Sequence, residues 1–158
     1  MKRLANTAVL AYCIGMACLF GACGIGAETP ASSIPAADLL QPADLAASLQ
    51  SNPAARPLVL QVGFRKLFDE AHIVAAEYAG PGGDGDGLAV LRKRVANLPK
   101  DSAIVIYCGC CPWSHCPNMG AAFAALRGLG FHHVKALYIA DNFGADWIEK
   151  GYPVTRGG

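Results

Sequence analysis

The chain has 158 residues, 53% of them hydrophobic, enough for one buried core and too few for a large multidomain enzyme. Its charge is nearly balanced, with 13 Lys and Arg against 12 Asp and Glu, which argues against nucleic acid or an anionic membrane surface as a partner. No internal repeat is visible.

Residues 1–27 read as an export signal: Lys2 and Arg3 form a charged start, and residues 4–20 are mostly apolar and carry no charge. The stretch is too short at that polarity to read as a membrane span. Two processing sites compete. Phe20-Gly21-Ala22-Cys23 resembles a loose bacterial lipobox, with the signal ending at residue 22 and Cys23 lipidated, whereas Ile25-Gly26-Ala27 before Glu28 resembles an ordinary small-residue cleavage site. Both place the chain outside the cytoplasm, either periplasmic or lipid-anchored to the cell envelope, and the anchor is the one membrane contact expected. Cleavage after residue 27 leaves eleven basic and twelve acidic side chains, a net charge of −1.

Residues 28–38 are mainly Ala, Pro, Ser and Thr without periodicity and predict a flexible tether ahead of a single domain over residues 39–156. Gln41 and Pro42 open a helix whose Leu45 and Leu49 form an apolar stripe until Ser51-Asn52-Pro53 stops it. Residues 58–62 have the length and apolarity of a buried strand. Residues 65–70 predict one or two helical turns before His72 and Ile73, with His72 a structural histidine. The Gly-rich residues 80–87 lack the carboxylates of a calcium loop and lead into an amphipathic helix. Asp86 is placed to cap that helix, with Leu88, Leu91, Val95 and Leu98 on one face. Residues 103–107 are the next strand. Pro117 then starts a helix with Met119, Phe123 and Leu126 facing the core, ended by Gly128 or Gly130. Residues 134–139 read as a strand, 141–144 as a turn, 145–150 as a short helix and 151–154 as an extended tail. Strands alternating with helices predict an α/β fold, a central parallel sheet with helices on both faces.

Between the strand at 103–107 and the helix at Pro117 runs Cys108-Gly109-Cys110-Cys111-Pro112-Trp113-Ser114-His115-Cys116, which holds every cysteine outside the N-terminal segment. A strand that delivers a thiol into a loop ending at a helix N-terminus favours the thiolate, the form that acts as nucleophile and metal ligand. The helix end contributes about 0.3–1 kcal/mol, or up to ~2 where the group is partly buried.

The order of these segments resembles a rhodanese-like domain over residues 39–156. Gln41-Pro42-Ala43-Asp44-Leu45 is similar to the family's opening helix, residues 58–62 to its first central strand, and Ala71-His72-Ile73 to its glycine-histidine-isoleucine segment. Ile104-Val105-Ile106-Tyr107-Cys108 resembles the strand that ends in the catalytic cysteine. Residues 126–131 and 134–137 resemble the helix, Gly-Phe turn and strand beyond it, and Trp147, Gly151, Tyr152 and Pro153 the closing segment. The resemblance implies a sulfurtransferase or persulfide carrier that needs no cofactor, with Cys108 as the catalytic residue. Its partners would be a sulfane sulfur donor and a thiol acceptor, and loop amides would point inward at the persulfide. Gln61 and Gly63 stand where the family commonly has Asp and Arg, and the loop lacks the arginine that often helps bind thiosulfate. Persulfide handling is therefore expected ahead of efficient thiosulfate use. Gly109, Cys110, Cys111, Trp113, Ser114, His115 and Cys116 keep amide donors for substrate, which Pro112 and Pro117 lack.

Cys110, Cys111 and Cys116 support three readings: thiols that resolve a persulfide on Cys108, a Cys111–Cys116 disulfide staple, or ligands that join Cys108 and His115 around zinc or a soft metal. The spacing is not that of a common zinc knuckle. His115 reads either as a partner that lowers the Cys108 pKa or as an exposed loop residue, Trp113 as a lid over the sulfur, and Ser114 as a hydrogen-bond donor. Export would let disulfides persist, so a free Cys108 implies a thiol-redox partner. Two alternatives to sulfur transfer stay open: a noncatalytic thiol-cluster metal-binding protein, and a disulfide-locked interaction module on a rhodanese scaffold.

Overall fold

The computed structural model describes residues 30–51 and 56–157. The export signal, both processing sites with Cys23, and Asn52-Pro53 lie outside the described residues. The apolar runs form a parallel sheet. β1 (Leu39–Leu40), β2 (Leu58–Gln61), β4 (Glu77–Tyr78), β5 (Ile104–Tyr107) and β6 (Val134–Leu137) stand in the order β1-β6-β5-β2-β4. β5 lies between β6 and β2, and its register runs from Leu58 opposite Ile104 to Gln61 opposite Tyr107. β3 (His72–Ile73) and β7 (Val154–Thr155) make a separate antiparallel pair.

Both sheet faces are buried, so β5 reads as an unbroken apolar run, and its period of two sorts the side chains. Ile104, Ile106 and Cys108 join one core with Leu91 and Val95 of α3 (Gly85–Val95) and Met119, Phe123 and Leu126 of α4 (Pro117–Gly128). Val105 and Tyr107 join the other with Leu45 and Leu49 of α1 (Pro42–Ser51), Phe68 of α2 (Arg65–Glu70) and Trp147. The two cores are the predicted covering of both faces. Among the described residues no helix is long and apolar enough to cross a membrane.

Several elements differ from the sequence reading. Residues 31–38, expected in the tether, form two single-turn 3-10 helices, and Ala31 and Ile34 are buried in the first core against α4. Two small apolar side chains suffice to dock the segment, although they make no periodic pattern. The cap of α3 is Asp84 rather than Asp86: its carboxylate accepts the Gly87 N–H, and Asp86 lies in the first turn. α3 ends at Val95, so Leu98 reaches the core from the turn beyond. Residues 145–150 give way to a π-helical turn at Gly144–Ile148, whose Trp147 is fully buried and donates its indole N–H to Pro153 O at 3.0 Å.

Candidate functional site

Cys108 directly follows the central strand β5, and in open α/β sheets ligands bind beyond the carboxyl ends of such strands. A cavity of about 300 Å³ opens there, walled by Gln61, Leu67, Glu70, Ala71, Tyr107, Cys108, Gly109, Cys110, Asn142, Phe143, Gly144 and Ile148. No Lys or Arg is among them. Gln61 is buried, and its side-chain oxygen has no hydrogen-bond partner. Cys108 is buried at 3% exposure and, with buried Gln61 and Tyr107, forms the cavity floor.

Two glycines shape this floor. Gly109 has φ of 73°, and this left-handed turn reverses the chain so that the Cys110 sulfur lies 3.1 Å from that of Cys108. A Cβ at Gly109 would stand 2.7 Å from that of Phe143, whose own N–H donates to Gly109 O. A Cβ at Gly63 would stand 2.9 Å from the Cys108 sulfur and 2.7 Å from Gln61 Nε2, so an arginine could not share this corner with the cysteine as placed.

The fourth loop cysteine comes from a different element. Cys116 is the N-cap of α4, with Pro117 supplying the preset φ of the first helical residue. Its sulfur faces the backbone N–H groups of Asn118 and Met119. The sulfur makes no side-chain cap hydrogen bond, and its place at the helix end is electrostatically favourable to a thiolate. The sulfurs of Cys108, Cys110 and Cys116 all lie within 4.8 Å of one another.

Four close thiols cannot all ionise, and the protein sorts them. The neighbouring Cys108 and Cys110 sulfurs, followed by the helix amides, hold the Cys116 thiol far below its ordinary range against the cost of burial. For Cys108 the contact with the Cys110 sulfur acts downward, but the nearby Cys116 sulfur and burial outweigh it and push the thiol up to about 12. The neighbouring Cys108 and Cys116 sulfurs raise Cys110, and burial is the first cause that raises Cys111. Of the four, Cys116, over the helix end, is the cysteine whose thiolate form its surroundings favour, while those of Cys108 favour the thiol.

Asn118 completes the site and is absent from the sequence reading. It is buried at 2% exposure, and its Nδ2 donates to the Cys108 sulfur at 3.2 Å and reaches the Cys110 sulfur at 3.8 Å. Its Oδ1 accepts the Gly83 N–H at 2.8 Å, which fixes the amide's orientation and ties the Gly-rich turn to the sulfur cluster. An asparagine in the first turn of an otherwise apolar, core-facing helix is the signal that could have found it.

The remaining predicted residues divide. Gly109 and Cys110 line the cavity; Cys111, Trp113, Ser114, His115 and Cys116 do not. Among the loop amides, that of Cys110 faces the Cys108 sulfur. Those of Trp113, His115 and Cys116 are turned away to the carbonyls of Ala140, Pro112 and Trp113. Trp113 is not a lid over the open cavity: it packs on Tyr138 with ring centres 5.2 Å apart and closes the far side of the cluster. His115 is exposed, its Nδ1 2.8 Å from Ser114 Oγ, and it belongs neither to the cavity wall nor to the sulfur group. The Cys111–Cys116 staple is not formed, because the four loop cysteines are free thiols. The Cys111 sulfur instead lies 3.2 Å from that of Cys110 and 3.8 Å from His115 O. His72 is structural, stacked on Phe68 at 3.9 Å between ring centres with Nδ1 2.8 Å from Phe68 O.

This architecture defines a rhodanese-like fold. The structure is similar to that of the rhodanese-like domain of the Alr3790 protein from Anabaena sp., at 24% identity and a TM-score of 0.57, covering 75% of this chain and 79% of that one. It is also similar to the BH2092 protein from Bacillus halodurans, at 24% identity and a TM-score of 0.57, covering 74% of this chain and 75% of that one. No protein-family model matches the chain, and no curated protein matches it. The fold thus agrees with the sequence expectation, and the cysteine-rich loop directly follows the central strand β5.

Proposed function

We propose that this chain is a sulfur carrier of the rhodanese type, in which Cys108 accepts a sulfane sulfur and passes it to a thiol. The observation that carries the reading is Cys108 in the lining of a cavity at the end of the central strand, with the sulfurs of two further cysteines within 4.8 Å of its own. In the first step the Cys108 thiol loses its proton to solvent, because the Cys116 thiolate, held far below its ordinary range, is too weak a base to take it. The Cys108 thiolate then attacks the outer sulfur of a donor persulfide, an S–S bond forms at Cys108, and the donor's S–S bond breaks with its electron pair leaving on the donor thiolate. The Cys110 amide and Asn118 Nδ2 are placed to hydrogen-bond the sulfur as it carries charge. Discharge to an acceptor thiolate at the outer sulfur regenerates Cys108. Attack by a neighbouring Cys110 thiolate on Cys108 would instead release hydrosulfide and leave a disulfide for a thiol-redox partner to reduce.

A cavity wall with Glu70 and without Lys or Arg gives a dianion no counter-charge, which favours a neutral or singly charged persulfide donor over thiosulfate. Export through residues 1–27, to the periplasm or to a lipid anchor at Cys23, would make the reducing partner necessary. The test is sulfur transfer by the reduced protein from a low-molecular-weight persulfide and, in parallel, from thiosulfate to a thiol acceptor. Transfer from the persulfide that is lost in Cys108→Ser supports the reading; equal transfer by that variant removes it. Cys110→Ser should accept sulfur normally and release it more slowly.

A further inference from the structure

We propose that Cys108, Cys110 and Cys116 form a three-sulfur site for a soft monovalent metal ion, with copper(I) as the ion it fits. A planar three-sulfur site with metal–sulfur bonds of about 2.3 Å holds its sulfurs ~4 Å apart. The observed group brackets that value, from 3.1 Å between Cys108 and Cys110 to a limit of 4.8 Å across the set. The three ligands come from a strand end, a left-handed glycine turn and a helix cap, so little chain has to move to gather them.

The surroundings match the charge of such a complex. Three thiolates and one monovalent cation carry two net negative charges, which the first turn of α4 and the Asn118 amide face with N–H donors. Cys108 and Cys116 are buried, which suits a soft, weakly hydrated ion. Ligand number separates copper(I) from zinc. Zinc takes four ligands in a closed site, but Cys111 falls outside the mutual group and His115 is engaged with Ser114. Three-coordination is ordinary for copper(I).

This inference does not rest on sulfur transfer, and a bound ion would block that reaction because it occupies the same sulfurs. The test is anaerobic titration of the reduced full-length chain with copper(I) against a colorimetric copper(I) chelator. One ion per chain is expected, with affinity falling roughly 100-fold in Cys108→Ser, Cys110→Ser and Cys116→Ser and less than about tenfold in Cys111→Ser. Failure to compete with the chelator, or affinity unchanged by removal of any one of the three, overturns the site. X-ray absorption on the unmodified protein decides the matter independently of how the variants fold. Three sulfurs about 2.3 Å from copper support the site, whereas four sulfurs or a nitrogen ligand contradict it.

Discussion

Asn118 Nδ2 donates to the Cys108 sulfur at 3.2 Å while the same side chain accepts the Gly83 N–H at 2.8 Å, so a single buried amide joins the reactive loop to the turn before α3. Asn118→Asp keeps the size but replaces the donor with an acceptor that repels a neighbouring thiolate. It should slow alkylation of the loop thiols at least tenfold, read as the rate of iodoacetamide labelling at Cys108. Asn118→Ala leaves the Gly83 N–H without its partner and should cost about 1–3 kcal/mol in urea unfolding. A rate of labelling in Asn118→Asp equal to that of the unmodified protein would show that the amide does not act on the sulfur.

Gly63 tests how closely the floor of the cavity is fitted. Its missing side chain leaves room for the Cys108 sulfur and Gln61 Nε2, both closer than 3.0 Å to where a Cβ would stand. Gly63→Ala should destabilise the fold by about 1–3 kcal/mol and suppress persulfide formation, since one of those groups must shift. Calorimetry and sulfur loading of the same preparation measure the two effects.

Trp147 anchors the second core from the π-helical turn that also carries the cavity wall at Gly144 and Ile148. Its full burial and its hydrogen bond to Pro153 O predict a loss of about 3–5 kcal/mol in Trp147→Ala, measured by denaturant unfolding.

Glu77 on β4 is paired with Arg94 on α3, and the hydrogen bond from that guanidinium holds the Glu77 carboxyl below its ordinary range. A depressed folded-state pKa gives stability above the unfolded-state value, and that stability is lost as pH falls through the folded value. The pair is only partly buried and open to solvent screening, so Arg94→Ala should cost under about 1 kcal/mol at pH 7, and the difference between the two proteins should vanish in acid. Unfolding curves of both proteins, taken from neutral pH downward, read this directly.

The strands and helices with long apolar patterns were legible from the sequence. β5 is an unbroken run because both its faces are covered, and α4 is announced by Pro117 and its spaced Met119, Phe123 and Leu126. β1 and β4 were not legible, because two-residue strands held by pairing to β6 and β2 have no pattern of their own. The place of Cys108 followed from the strand that precedes it. The sorting of charge among the cysteines did not, because it depends on the turn at Gly109 and on Cys116 rather than Cys108 meeting the helix amides. His115 looked chemically apt beside the thiols, yet the 3-10 turn at Trp113–His115 directs it to solvent, and Asn118 one helical turn away takes the place beside the sulfur. The cavity wall at Asn142, Phe143 and Gly144 comes from a loop after β6 that only the closed fold brings to β5.

The central claim is that sulfur is accepted at Cys108, and peptide mapping of the reduced protein after brief exposure to a persulfide donor tests it most directly. The account predicts a gain of one sulfur on the peptide that begins the loop, assigned to Cys108, reversed by dithiothreitol and absent in Cys108→Ser. The same gain at full yield in Cys108→Ser, or its assignment to Cys111 in the unmodified protein, would contradict it.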